Sequence, residues 1–395
     1  MKILCISNYY PPHYEGGYEL SVKESMDYLS SRGHSVYVLC GHKGLARPKA
    51  AKLDFATNDI QRVLRYISYD NASFINKHHV EVHNYRLCLA ALKLLKPDIV
   101  YMGSQKAISI APALAVQRSA IARVYDIGDD WMSVYYPKAI HQRFYRWLKR
   151  ILPFCIGGQV DLNPVICVSK WLAEELKVKY ASKQIHIVPR AVALSSYRSR
   201  PTFKAHNFIM AGRIEPQKGL HLLIEAAKNV CVTHPQFKVD IYGDADVDYL
   251  KLCRKLIQDY HLEQHFDFKG FSSSMADILP IYDVMLMPTL MREPFGRVII
   301  EAMAAGLIVI ASNAYGPAEI IDHGTDSLLF ERANPKALAE CINTLMDYPD
   351  AKLESMRLAA YQKVSTKYEL SLVKKRIEEI MEQIVNQSQA NVRNK

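Results

Sequence analysis

Apolar and polar positions along the chain alternate on two length scales. Short runs such as ILCI, IVYM, VMLM and IVIA are the size of a parallel strand buried on both faces. Longer segments with a helical apolar repeat separate them, and strand and helix in alternation predict βαβ units.

There are two such series. The first predicts strands over 2–7, 35–39, 98–102, 121–125, 165–168 and 185–188, with a helix over 18–31. A polar stretch at 195–206, SSYRSRPTFKAH, breaks the periodicity and reads as a linker. Beyond it the pattern predicts strands over 208–210, 238–242, 283–287, 307–311 and 327–330. Helices are expected over 219–230 and 297–305, followed by three closing helices that end with 369–385. The expected class is α/β: a doubly wound domain over 1–198, a second over 199–366, and a closing helix and tail over 367–395 that return to the first domain. Two such domains should face a central cleft, with ligands at the carboxyl ends of the strands.

Length agrees with this division, since 395 residues make two or three domains at about 100–200 residues each. With 49% hydrophobic and 23% charged residues, disordered and collagen-like classes are excluded. Fifty Lys and Arg against forty Asp and Glu give +10, which favours nucleotide phosphates, an anionic membrane surface or nucleic acid as partners. No nucleic-acid recognition motif accompanies the charge, so nucleic acid drops out. The eight cysteines are scattered without a Cys-x2-Cys pair and read as buried thiols of a reducing cytoplasm. No run approaches about 18 apolar residues, and MKILCISNYY turns polar too early for a signal peptide. A cytoplasmic protein is expected, with at most peripheral contact at the membrane face. Segment 139–154 (AIHQRFYRWLKRILPF) leaves two readings open: an apolar stripe facing the core with a basic back, or a helix lying in an anionic membrane interface.

Three constellations carry candidate chemistry. Arg292-Glu293-Pro294-Phe295-Gly296-Arg297 leads into a helix with Glu301 about two turns in, ending Ala302-Met303-Ala304-Ala305-Gly306. Pro294 suits a helix start, Gly296 admits a ligand to the backbone, and first-turn N–H groups make an anion site. Two carboxylates beside it suit a polyhydroxylated anion such as a nucleotide sugar; an ordinary helix with exposed acids is the alternative. Gly212-Arg213-Ile214-Glu215-Pro216-Gln217-Lys218-Gly219 follows a strand and places two cations where they can converge on one diphosphate. A solvated basic turn is the alternative there. Pro11-Pro12-His13-Tyr14-Glu15-Gly16-Gly17 follows the first strand and would bring amides to a phosphate, or serve only as a turn. No G-x-G-x-x-G follows Ser7, which argues against a dehydrogenase. Asp244-Ala245-Asp246 imitates a metal-holding pair, with an ordinary turn as the alternative; the i,i+4 pair His79/His83 could hold a metal, but no carboxylate or third ligand is placed to complete it.

Taken in order, Gly16-Gly17, Arg32-Gly33-His34-Ser35-Val36, Val168-Ser169-Lys170, Gly212-Arg213…Lys218-Gly219, Tyr242-Gly243-Asp244 and Glu293…Glu301-Ala302-Met303-Ala304-Ala305-Gly306 resemble the retaining GT-B glycosyltransferases of family 4, over about residues 2–372. The resemblance implies the GT-B fold, two Rossmann-like domains facing a cleft, and transfer of a sugar from a nucleotide-diphosphate sugar without a metal or other cofactor. It implies that Arg213 and Lys218 bind the donor diphosphate, Glu293 the sugar hydroxyls and Glu301 the ribose. The amides at Phe295, Gly296 and Arg297, with Gly212, Gly16 and Gly17, complete the donor contacts. A glycan, lipid-linked or small hydroxyl acceptor is implied, in polysaccharide or glycolipid assembly.

Two positions depart from the family pattern. Its histidine after the strand ending Tyr125-Asp126 is absent, leaving Asp126 or Asp129 either to take the acceptor-side role or to cap a helix. Its Pro-Asn-Gly appears as Pro189-Arg190-Ala191. The alternatives to a transferase are a non-catalytic nucleotide-sugar-binding protein and a nucleotide-sugar 2-epimerase.

Overall fold

The computed structural model describes residues 1–14, 16–42, 53–67, 74–135, 160–197 and 204–393. Segment 139–154 lies outside the described residues, as does Glu15. The chain divides into two compact units, Met1–Val188 with Lys374–Lys395, and Pro189–Val373.

In the first unit, seven strands among the described residues form one parallel sheet. They are β1 (Lys2–Ser7), β2 (Ser35–Gly41), β3 (Ile60–Leu64), β4 (Ile99–Met102), β5 (Ala122–Ile127), β6 (Val165–Cys167) and β7 (Ile185–Ile187), in the order β3-β2-β1-β4-β5-β6-β7. The second unit repeats the plan with β8 (Asn207–Ala211), β9 (Lys238–Tyr242), β10 (Phe266–Gly270), β11 (Val284–Met287), β12 (Ile308–Ser312) and β13 (Leu328–Phe330), ordered β10-β9-β8-β11-β12-β13. Both orders reverse direction once, between β1 and β4 and between β8 and β11, and loops diverge there to leave a crevice at the carboxyl ends.

Central strands form where the sequence is continuously apolar. Ile3, Leu4, Cys5 and Ile6 of β1 are fully buried, as are Ile308, Val309 and Ile310 of β12. Each such side chain contributes about 1.5–3 kcal/mol. Helix starts follow local chemistry: Ser169 caps Lys170–Tyr180 by accepting from Leu172 N, and Asn334 caps Pro335–Met346. Phe208 of β8 meets Phe237 edge-on at 4.9 Å in the second core.

The structure moves the expected division from 198 to 188. Val192 N donates to Tyr368 O at 2.9 Å and Leu370 N to Val192 O at 3.0 Å, so main-chain bonds tie this segment to the second unit. The closing helix Leu370–Arg393 joins the first unit from Lys374 onward, not from 367. There the buried Lys374 ammonium donates to Ser21 O, Ser21 Oγ and Ser25 Oγ at 3.1, 3.2 and 2.9 Å. Cys5, Cys40, Cys88, Cys167 and Cys253 are buried free thiols. Among the described residues no helix is long and apolar enough to cross a membrane.

Candidate functional site

The turns after β8 and β11, which are paired strands, meet at the switch point of the second unit. After β8 the chain stays extended: Ile214 N donates to Asp244 O at 2.8 Å and Asp246 N to Ile214 O at 3.0 Å. A single helical turn over Pro216–Lys218 then ends at Gly219, whose φ is 78°. A Cβ there would lie 1.9 Å from the Pro288 carbonyl oxygen, so only glycine lets the two turns touch.

One main-chain oxygen joins them. Gln217 O accepts from Leu290 N at 2.8 Å, Met291 N at 3.1 Å and Thr289 Oγ1 at 3.3 Å. Thr289 is buried, and its carbonyl accepts from Ser312 Oγ at 2.8 Å. This anchoring brings Lys218 Nζ to 2.9 Å from Glu293 Oε2, with the side chains 20% and 17% exposed. At that burial desolvation offsets much of the attraction, so the pair fixes geometry more than it stabilises the fold.

The rest of the second turn is held from behind. Gly316 N donates to the Glu293 carbonyl at 2.9 Å, and the buried Phe295 packs edge-on against Tyr368 at 5.8 Å. Gly296, at φ 94°, caps the helix Arg297–Ala304 with no side-chain cap, leaving the first turn open to an anion at the positive end of the helix dipole. Arg297 Nε reaches Glu301 Oε1 at 2.8 Å, so its guanidinium lies along the helix and steadies the second carboxylate. Arg213 is 66% exposed and pairs with Glu215 at 3.2 Å. Such a pair is worth about 0–1 kcal/mol and does not hold the guanidinium against a competing anion.

The structure thus brings together Lys218, Glu293, Phe295, Gly296, Arg297 and Glu301, with Gly212 and Arg213 on the neighbouring turn. In the first unit, Gly16 and Gly17 open the helix Gly17–Ser31 as expected. The Gly16 amide, however, is taken by Glu19 Oε2 at 3.2 Å, because that carboxylate folds back on the helix start.

The structure places Asp126 inside the sheet of the first unit. It is a fully buried residue of β5, accepting from Tyr101 OH at 2.6 Å through Oδ2 and from Tyr18 OH at 2.9 Å through its carbonyl. Through these two contacts it fastens β5 to β4 and to the first helix. Asp129, in the following loop, is exposed, and its neighbour Asp130 accepts from Lys179 at 2.9 Å and from Tyr180.

Neither metal imitation assembles. Asp246 caps the helix Val247–Asp259 by accepting from Tyr249 N at 2.9 Å. His83 Nε2 faces Val63 O at 3.4 Å, and burial, with Arg65 adding to it, lowers its pKa. Among the described residues, His34, Glu378 and Glu382 are close enough to share an ion, and there His34 already bonds Glu378 at 2.8 Å.

Gln217 and Thr289 escaped the sequence reading. The first acts through its main chain, and the second sits in a turn with no charge to mark it; the sequence signal for both is Gly219, which needs a close neighbour.

A family model described as "Glycosyl transferases group 1" matches residues 200–363, and one described as "Glycosyltransferase Family 4" matches residues 15–196. The two matches take in both units, and the chain belongs to the group 1/family 4 glycosyltransferases. It is 30% identical to an exopolysaccharide phosphotransferase of Streptomyces coelicolor over 218 residues, 55% of this chain and 22% of that one. It is 26% identical to the phosphatidylinositol N-acetylglucosaminyltransferase gpi3 subunit of Schizosaccharomyces pombe over 239 residues, 58% of this chain. That alignment spans half of the yeast protein. Among solved structures, HepE of Anabaena in complex with UDP superposes with a TM-score of 0.72 at 20% identity, covering 97% of this chain and 100% of that one. The shared architecture is the GT-B fold.

Proposed function

We propose that the protein is a retaining, metal-independent glycosyltransferase that moves a sugar from a nucleotide-diphosphate sugar to a hydroxyl acceptor in polysaccharide or glycolipid assembly. The observation that carries this reading is the Lys218–Glu293 contact at 2.9 Å, which joins the basic turn after β8 to the acidic turn after β11.

In this reading the diphosphate lies over the open turn of Arg297–Ala304 and draws Lys218 and Arg213 to its oxygens. Cleavage of the sugar C1–O bond leaves negative charge on the departing phosphate, and two cations with a helix N-terminus aimed there lower the barrier electrostatically. Glu293, released from Lys218, accepts hydrogen bonds from sugar hydroxyls, and Glu301, steadied by Arg297, accepts from the ribose. The leaving phosphate oxygen takes the acceptor's proton on the face that it vacates. No residue of the first unit supplies a nucleophile in this scheme, which agrees with the burial of Asp126.

A panel of UDP-, GDP-, ADP- and CMP-sugars with EDTA present, with nucleotide release followed, tests the reading. The UDP bound in the Anabaena structure makes uridine donors the first choice. Release from one donor that disappears in Lys218→Ala is expected. Release that needs a divalent metal, or that survives in the variant, contradicts it; binding without release in the presence of acceptors favours a non-catalytic binding protein.

A further inference from the structure

The turn that carries Glu293 is gripped from a second side. Strands β11, β12 and β13 are parallel neighbours, so the turns that follow them open together at the carboxyl end of the second sheet. Arg332, in the turn after β13, donates from Nε to Leu290 O at 3.2 Å and from a terminal guanidinium nitrogen to the same oxygen. Leu290 is also the residue whose N–H meets Gln217 O, so its two main-chain groups are held by two different turns.

Tyr315, in the turn after β12, gathers the arginines of the other two turns. The guanidinium carbons of Arg292 and Arg332 each lie 5.6 Å from its ring centroid. A guanidinium is drawn to the negative face of a tyrosine ring, and here the ring ties Arg292, the residue before Glu293, to Arg332. Half-buried Tyr315 takes a φ of 54°, a left-handed conformation that a residue with a side chain enters only at a cost. Its neighbour shows what the bend achieves. Gly316 is buried, a Cβ there would stand 2.4 Å from Phe295 Cα, and its N–H donates to Glu293 O at 2.9 Å. Glycine would occupy position 315 without strain; tyrosine accepts the strain and supplies the ring.

We propose that Tyr315 is a positioning residue for the donor sugar: with Arg332 it fixes the main chain from Leu290 to Glu293 and so aims the Glu293 carboxylate. The inference rests on the reading above for the role of Glu293 and adds the residue that holds it in place. In that reading Lys218 leaves Glu293 for the diphosphate, and the carboxylate is then aimed by the main chain beneath it. A loosened turn would misplace it, and hydrogen bonds to the sugar that depend on position would weaken.

Tyr315→Gly is the informative variant, because it removes the ring and relieves the left-handed backbone together. Its melting temperature should stay within about 4 °C of that of the unmodified chain. Its kcat for nucleotide release, from whichever donor the panel of UDP-, GDP-, ADP- and CMP-sugars selects, should fall about tenfold. Calorimetric affinity for the matching free nucleotide should stay within about twofold, since Glu293 meets the sugar and not the diphosphate. Tyr315→Phe, which keeps the ring face, should retain kcat within about twofold. In a Glu293→Gln background Tyr315→Gly should cost no further kcat, because the group it positions is already gone. An unchanged kcat in Tyr315→Gly, losses that multiply in the double variant, or a nucleotide affinity that falls as far as kcat would each overturn the proposal. Release from no donor by the unmodified chain would instead remove the donor reading, and the proposal with it.

Discussion

The two units repeat one topology and line its switch point differently. In the second unit the turns after β8 and β11 are joined by Gln217 O, and a half-buried cation and carboxylate meet between them. In the first unit the loops after β1 and β4 are joined by Asn8, a neutral amide that accepts from Ala107 N at 3.0 Å and donates to Ser104 Oγ at 3.2 Å. Its acid, Asp126, is sealed into the sheet, and tyrosines and histidines stand at the rim. The same βαβ scaffold carries a cation–carboxylate pair at one switch point and a neutral amide at the other. Topology fixes where a ligand can sit, and lining decides which.

Removing the charge should break the contrast most strongly. Lys218→Ala is expected to lower nucleotide release about 10²–10³-fold, the usual loss for one electrostatic donor to a developing anion, as read by steady-state kinetics. Gly219→Ala forces a Cβ into Pro288 and is expected to cost on the order of 2–4 kcal/mol in denaturant unfolding. By contrast, Gly16→Ala meets open space at an extended φ and should cost less than about 1 kcal/mol. Equal effects in the two glycine variants would erase the distinction between a turn pressed against a neighbouring carbonyl and one that meets open space.

Glu293→Gln should lower turnover at least about tenfold while leaving UDP affinity within about threefold, a split between chemistry and nucleotide binding seen by kinetics and calorimetry. Asp126→Asn keeps an acceptor for Tyr101, so it should cost about 1–2 kcal/mol of stability and leave kcat within about threefold. A hundredfold loss of kcat there, with the fold intact, would restore a chemical role to the first unit's acid. Smallest of all, Asp246→Ala should cost about 1 kcal/mol through the lost helix cap, with activity in EDTA unchanged.

Sequence patterning was enough to find the interior of both sheets, because β1, β4, β11 and β12 bury both faces and read as unbroken apolar runs. The edge strands β3 (IQRVL) and β10 (FDFKG) were not legible: one side of each is solvated, and the charges that protect an edge erase its apolar signature. At the site, motif spacing located the charged residues, since charge in a turn after a strand is visible in one dimension. What anchors them, the Gln217 carbonyl and the Gly219–Pro288 approach, is main-chain geometry between segments about 70 residues apart and leaves no mark on residue type. The tyrosines around Asp126, Tyr101 and Tyr18, were equally invisible, because they come from segments 25 and 108 residues away.

Calorimetric titration of the full chain with UDP in EDTA, repeated with Lys218→Ala, tests the proposed donor site most directly. Metal-free binding weakened at least about tenfold by the variant is the predicted result, equivalent to about 1.4 kcal/mol. Binding that requires a divalent metal, or that is as tight in Lys218→Ala as in the unmodified chain, would contradict it.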